Sequence, residues 1–275
     1  MKTLFIGAGS MAHALLSGAI NAKVLEKEEV YITNRTNHQR LQEVIEHFGV
    51  NGVSGCLPSN EEFDVVILAM KPKDFHEAGP AIRRFLSSGT LIISVLAGIS
   101  IKHIRETLAF NGAISRAMPN TSAALRKSAT AVTYNEFLSE RQKEWTLTFF
   151  GSVGLSVEVP EEQMDLITAV SGSGPAYIYY VAELLEKAAV DFGLQKELAR
   201  ALITQTIAGA SKMLEDSGQE AGTLRKNVTS PGGTTEAGIS TLDEYGVSEA
   251  FLKCVDSARN RSQEMGKELI VNRVE

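Results

Sequence analysis

The sequence predicts an α/β protein in two parts: a mostly parallel sheet interleaved with helices over residues 1–160, then an all-helical part over 161–275. Three observations carry this. Short β-rich runs alternate with helical patterns in the first part, the signature of strand–helix–strand crossovers and a parallel sheet. Two of those runs, Asp64-Val-Val-Ile-Leu-Ala and Leu91-Ile-Ile-Ser-Val-Leu, are almost continuously apolar, as strands covered on both faces require. After Pro160 the β-rich runs nearly cease and long helical patterns take over.

Strands are expected at 3–6, 29–33, 64–69, 90–95, 113–116, 129–133 and 155–159, with helices between several of them at 11–21, 37–48, 74–85 and 101–108. The second part reads as helices at 164–190, 196–216, 235–244 and 248–269. The first of these carries Ser171-Gly172-Ser173-Gly174-Pro175, which should kink or restart it.

A chain of 275 residues exceeds a typical single domain, which agrees with two. A net charge of −6 without any Lys/Arg run argues against nucleic acid or an acidic membrane surface as partner. No apolar run is long enough to span a bilayer, and a cytoplasmic location is expected. Cys56 and Cys254 lie in different predicted parts and read as thiols of a reducing compartment. His13, His38, His47, His76 and His103 show no metal-ligand spacing, so no metal site is expected.

Gly7-x-Gly9-x-x-Ala12 follows the first strand and opens a helix, the context of a Rossmann-like dinucleotide fingerprint. Gly7 permits the tight turn, Gly9 lets a pyrophosphate approach the backbone, and Ala12 allows close helix packing. The N–H groups of Ser10, Met11 and Ala12 then face the phosphates. The second strand ends in Asn34-Arg35-Thr36, without the carboxylate that usually bonds the ribose 2′-hydroxyl of NAD. An arginine there pairs with a 2′-phosphate, so NADP(H) is expected over NAD(H), with NAD(H) still possible.

Residues Val228 to Ile239 place four hydroxyls and two adjacent glycines around Pro231. Taken alone, this is a capped turn between helices. The helix start at Thr234, Thr235 and Glu236 also suits the capture of a small carboxylate by free N–H groups and neighbouring hydroxyls.

The run at 228–239 resembles the signature segment of pyrroline-5-carboxylate reductases. The resemblance recurs in Ser171-Gly172-Ser173-Gly174-Pro175-Ala176-Tyr177, Arg116-Ala117-Met118-Pro119-Asn120-Thr121, Ala69-Met70-Lys71-Pro72 and Gly7-Ala8-Gly9-Ser10-Met11-Ala12, in the family's order and across nearly the whole chain. It implies NADPH-dependent reduction of the C=N bond of 1-pyrroline-5-carboxylate to L-proline, with Thr235 as the hydroxyl that bonds the ring nitrogen. Thr229, Ser230, Gly232, Gly233 and Thr234 would hold the substrate, and Ser173 and Asn120 would wall its pocket. Ala69, Lys71, Pro72 and Ala97 would lie toward the nicotinamide. The helical part would build a homodimer or an oligomer of dimers. One departure is the compressed segment 54–63, across which no adenosine contact is carried over to Asn60.

Two other readings compete. A β-hydroxyacid dehydrogenase-like enzyme would place a catalytic lysine on the helix after Pro175, yet that helix begins Ala-Tyr-Ile-Tyr-Tyr and Lys187 lies far along it. A non-catalytic NADP-binding regulator of the same fold would have lost the hydroxyl-glycine turn, which is retained here.

Overall fold

The computed structural model describes residues 1–53 and 62–271, with side chains to residue 267; Cys56 and Asn60 lie outside the described residues. Two compact units emerge, one formed by 1–175 with 256–275 and the other by 176–255. The strand-rich part ends near Pro160, so the first compact unit extends beyond it and also recruits the chain's last segment.

Among the described residues the first unit holds eight strands: β1 (Thr3–Ile6), β2 (Val30–Thr33), β3 (Asn51–Gly52), β4 (Val65–Leu68), β5 (Leu91–Ser94), β6 (Ile114–Met118), β7 (Ser128–Tyr134) and β8 (Gly154–Glu158). They form one sheet in the order β3-β2-β1-β4-β5-β6-β7-β8. Neighbours are parallel except β6 and β7, which run antiparallel. Helices α1 (Ser10–Asn21), α2 (His38–Phe48), α3 (Phe75–Arg83), α4 (Ile101–Leu108) and α5 (Glu140–Gly151) connect the strands. The two-residue β3 and the whole of α5 are additions to the expected pattern.

Period-two alternation sorts the central strands onto two cores. Phe5, Ile67 and Ile93 point to one face, under Leu15, Leu16, Phe149 and Phe150. Leu4, Val66, Leu68 and Ile92 point to the other, under Phe75, Ile82, Ile104 and Leu108. All four side chains of β4 are fully buried, each stabilising the fold by about 1.5–3 kcal/mol.

After β8 come α6 (Met164–Ile167) and a π-helical turn, Thr168–Gly172, closed by the Ser173 N–H donating to the Thr168 carbonyl at 2.8 Å. The break begins before the glycines. Thr168 and Ser171 donate their hydroxyls back to the carbonyls of Met164 and Ile167 at 2.7 and 3.2 Å, a competition that loosens helical turns.

Helix α7 (Gly174–Asp191) leads into the second unit, which adds α8 (Lys196–Asp216), α9 (Ala221–Asn227), α10 (Thr234–Glu244) and the first turns of α11 (Val247–Val271). Within residues 176–255 only Ala199 is buried, while Tyr180, Leu202, Phe251 and Leu252 stand open. The unit has no core of its own to cover these side chains. Among the described residues no helix is long and apolar enough to cross a membrane.

Candidate active site

The strand order reverses direction between β1 and β4, and ligands of open α/β sheets bind at the carboxyl ends of strands flanking such a point. The β1 loop begins with Gly7, whose N–H donates to the Thr33 carbonyl at 2.8 Å. Its φ is +110°, and a Cβ there would lie 2.7 Å from the Ala69 carbonyl oxygen. Only glycine fits, because the β1 and β4 loops touch backbone to backbone.

Gly9 caps α1 without a side-chain bond, and no acidic residue occupies the first turn. A Cβ on Gly9 would meet nothing nearer than 4.0 Å, so this stretch of backbone fronts open space. The amides of Ser10, Met11 and Ala12 therefore offer the helix's positive end to an anion. Ser10 is exposed, whereas the Ala12 side chain is fully buried beneath the helix.

These residues open onto a cleft of about 630 Å³ whose lining includes Arg35, Arg40, Lys71 and Lys73 against the single carboxylate of Asp74. The excess of cations and the open helix start fit the phosphates of a dinucleotide. Arg40 and Lys73 were not singled out from the sequence; their positions show only once α2 and the β4 loop converge.

A neighbouring cleft of about 440 Å³ shares Gly7, Asn34, Arg35, Thr36, Met70 and Asp74 with the first. Asn34 fixes the turn after β2 by donating its side-chain N–H to the Asn37 carbonyl at 2.9 Å. Arg35 is half-exposed and engaged by two carboxylates, Glu77 at 2.6 Å and Asp74 at 3.9 Å. The hydrogen bond and charge of Arg35 hold Glu77 below the usual carboxylate range.

Ala69 is buried, its N–H donating to the Ile6 carbonyl at 2.9 Å, and it fixes the base of the β4 loop. Lys71 is exposed, and Pro72 opens a short 3₁₀ turn before α3. Ala97 is half-buried beside Gly98, which has φ +75°. The last turns of α11 press on this loop: a Cβ on Gly98 would come within 2.5 Å of the Ser262 carbonyl oxygen, and one on Gly266 within 2.4 Å of the Gly98 oxygen.

Asn120 is buried, and protein partners engage both ends of its amide. Nδ2 donates to the Ser171 carbonyl and Oδ1 accepts the Ser122 N–H, both at 3.0 Å. Ser173 is half-buried at the end of the π turn. Beneath them lies a tie the sequence reading passed over. Arg116, 4% exposed on β6, reaches Glu161 at 3.4 Å and Asp165 at 3.3 Å. Glu161 also accepts the Ile101 N–H at 2.8 Å, and Asp165 accepts the Ser262 hydroxyl at 2.8 Å. The guanidinium thus joins β6, α4, α6 and α11. Its signal in the sequence was a lone charge inside a buried strand.

In the second unit, Ser230-Pro231-Gly232-Gly233 forms a type II turn: the Gly233 N–H donates to the Ser230 carbonyl at 2.9 Å, and Gly232 has φ +71°. Of the two glycines, Gly232 alone takes the left-handed angle, and Gly233 is extended as the N-cap of α10. Thr229 is tied down by its hydroxyl, which donates to the Arg225 carbonyl at 2.6 Å. The Gly232 N–H donates to the Glu236 carboxylate at 2.7 Å, while Thr234 and Thr235 are exposed at the helix start. Thr229, Ser230, Gly232, Gly233, Thr234 and Thr235 thus share one turn, and Gly7, Gly9, Ser10, Met11, Asn34, Arg35, Ala69 and Lys71 line the two clefts of the first unit, whereas Ala12, Pro72 and Ala97 line neither.

A doubly wound sheet with an open helix start at its switch point is the arrangement of a dinucleotide-binding domain, here followed by a helical part. Residues 161–265 match the family model "Pyrroline-5-carboxylate reductase dimerisation", and residues 2–98 match "NADP oxidoreductase coenzyme F420-dependent". The chain is 43% identical over 267 residues to pyrroline-5-carboxylate reductase 2 of Bacillus subtilis, covering 96% of this chain and 95% of that one. It is 40% identical over 268 residues to pyrroline-5-carboxylate reductase 1 of Bacillus spizizenii, covering 98% and 90%. The solved pyrroline-5-carboxylate reductase of Coxiella burnetii matches with a TM-score of 0.84 at 36% identity, over 96% of this chain and 98% of that one. The Plasmodium falciparum pyrroline carboxylate reductase with NADP bound matches at 0.86 and 30%, over 97% and 98%. The chain belongs to the pyrroline-5-carboxylate reductase family, enzymes of proline biosynthesis.

Proposed function

We propose that the chain uses NADPH in preference to NADH to reduce 1-pyrroline-5-carboxylate to L-proline, with residues 1–160 holding the cofactor and 161–275 holding the substrate and building a homodimer. The carrying observation is the type II turn ahead of α10, where exposed hydroxyls of Thr234 and Thr235 stand in the first turn of the helix. The cofactor supplies a hydride to the carbon of the C=N bond, and a proton must reach the nitrogen. Everything else is positioning. The α10 amides and the Ser230 hydroxyl suit the substrate carboxylate, whereas Thr229, whose hydroxyl is already donated to the Arg225 carbonyl, contributes by shaping the turn. Thr235 is too weak an acid to protonate an imine alone at neutral pH; it orients the ring nitrogen and passes on a proton from water. Asn120 acts by holding the Ser171 segment, at whose end Ser173 stands half-buried. Consumption of NADPH with stoichiometric L-proline formation tests the reading. NADPH binding without turnover would sink it.

Arg35 supports the cofactor preference. Arg35→Ala is expected to weaken NADPH roughly tenfold or more, the scale of a lost hydrogen bond to a charged group, and to spare NADH. Equal losses for both cofactors, read by equilibrium titration, would remove the arginine from this role.

The uncovered apolar side chains of 176–255 support a homodimer or an oligomer of dimers, since a monomer does not leave so large an apolar area in water. Activity per protomer is therefore expected to fall on dilution as dimers dissociate, followed by light scattering and turnover together. A fully active monomer would contradict this. A cytoplasmic setting suits the free thiol of Cys254.

A further inference from the structure

The arginine assigned to the 2′-phosphate already has a partner. Strand β2 ends without a carboxylate, but α3 brings one to the same place from the other side of the switch point: Glu77 meets Arg35 at 2.6 Å, with Asp74 at 3.9 Å. Asp74 and Glu77 stand three residues apart, on one face of the α3 start. All three side chains line the 440 Å³ cleft where the ribose end of a dinucleotide would lie.

We propose that Glu77 is a specificity-determining residue: its carboxylate competes with the cofactor's 2′-phosphate for Arg35 and accepts the 2′-hydroxyl of NADH. The proposal rests on Arg35 being the 2′-phosphate contact. Sheets of this kind bond that hydroxyl through an acid at the end of β2. Here the acid comes from α3, so the site can present either group according to which side chain the cofactor engages. With NADPH the doubly charged phosphate takes the arginine and repels both carboxylates. With NADH the Arg35–Glu77 pair stays intact and Glu77 faces the hydroxyl. The pair is cheap to open, since the arginine is 51% and the glutamate 74% exposed. The two cofactors should therefore differ in affinity without either being excluded.

The test is equilibrium binding of NADPH and of NADH to the full-length protein, by calorimetric or fluorescence titration. Wild type, Glu77→Gln, Arg35→Ala and the double variant are compared. Glu77→Gln keeps the shape and removes the charge. It is expected to tighten NADPH about threefold, the scale of an exposed ion pair, and to weaken NADH about tenfold, the scale of a hydrogen bond to a charged group. In the Arg35→Ala background the part of the NADPH gain that comes from freeing the arginine should be lost, leaving only the relief of phosphate–carboxylate repulsion, while the loss for NADH persists. If Arg35→Ala is selective for NADPH but Glu77→Gln changes neither cofactor, or both in the same direction, the competition is disproved and the arginine assignment survives. If Arg35→Ala weakens both cofactors equally, the arginine assignment fails and the proposal falls with it.

Discussion

Thr235→Ala is expected to lower turnover of 1-pyrroline-5-carboxylate by about 10²-fold or more, the scale of a lost acid–base partner in the transition state. The side chain is exposed at the first turn of α10, and the helix is capped by Gly233 rather than by either threonine hydroxyl. The fold therefore loses little. NADPH affinity should hold, since the residues lining the cleft belong to the first unit. Thr235→Ser, which keeps the hydroxyl, should recover most of kcat. If alanine leaves kcat intact, or if serine fails as badly as alanine, the hydroxyl has no part in the reaction.

Arg116→Ala is expected to destabilise the first unit by about 3 kcal/mol, the lower end of the range for breaking a buried ion pair, because Glu161 and Asp165 keep partial access to water. The damage should spread from β6 to the start of α4 and to α11, whose Ile101 N–H and Ser262 hydroxyl share the same two carboxylates. The chain's one tryptophan, Trp145, stacks on Phe149 inside the first unit and reports its unfolding separately from the helical unit. A urea titration followed by Trp145 fluorescence should show a clearly lower midpoint. A change below about 1 kcal/mol would mean that the network contributes no more than a surface pair.

The sheet was legible because burial on both faces leaves its mark on every residue of β4 and β5. The glycine fingerprint was legible because backbone contact between Gly7 and Ala69 tolerates no side chain. Helix α5 was not anticipated: its Trp-Thr-Leu-Thr-Phe-Phe run is rich in β-branched and aromatic residues. The stronger cue was the Ser139–Gln142 capping box just ahead of it. The reversal of β7 left no trace, since strand direction is set by the connection and not by the strand's own residues. The Arg35 neighbours were hidden for a similar reason. Asp74 and Glu77 read as ordinary acids at a helix start until the fold brings that helix to the end of β2. The family blocks gave the substrate turn, but its type II geometry and the split of duties between Gly232 and Gly233 needed coordinates.

The return of α11 to the first unit sets an order of events during synthesis. About 170 residues separate the Gly98 loop from the Gly266 backbone that packs against it. At usual translation speeds that gap lasts roughly 10–30 s. Through that interval the nascent nucleotide-binding unit has left the ribosome with its β5 loop uncovered and Asp165 lacking its serine. The sheet can form early, but this corner of the unit is sealed only when α11 emerges, so the cofactor unit is completed after the whole helical unit has been made.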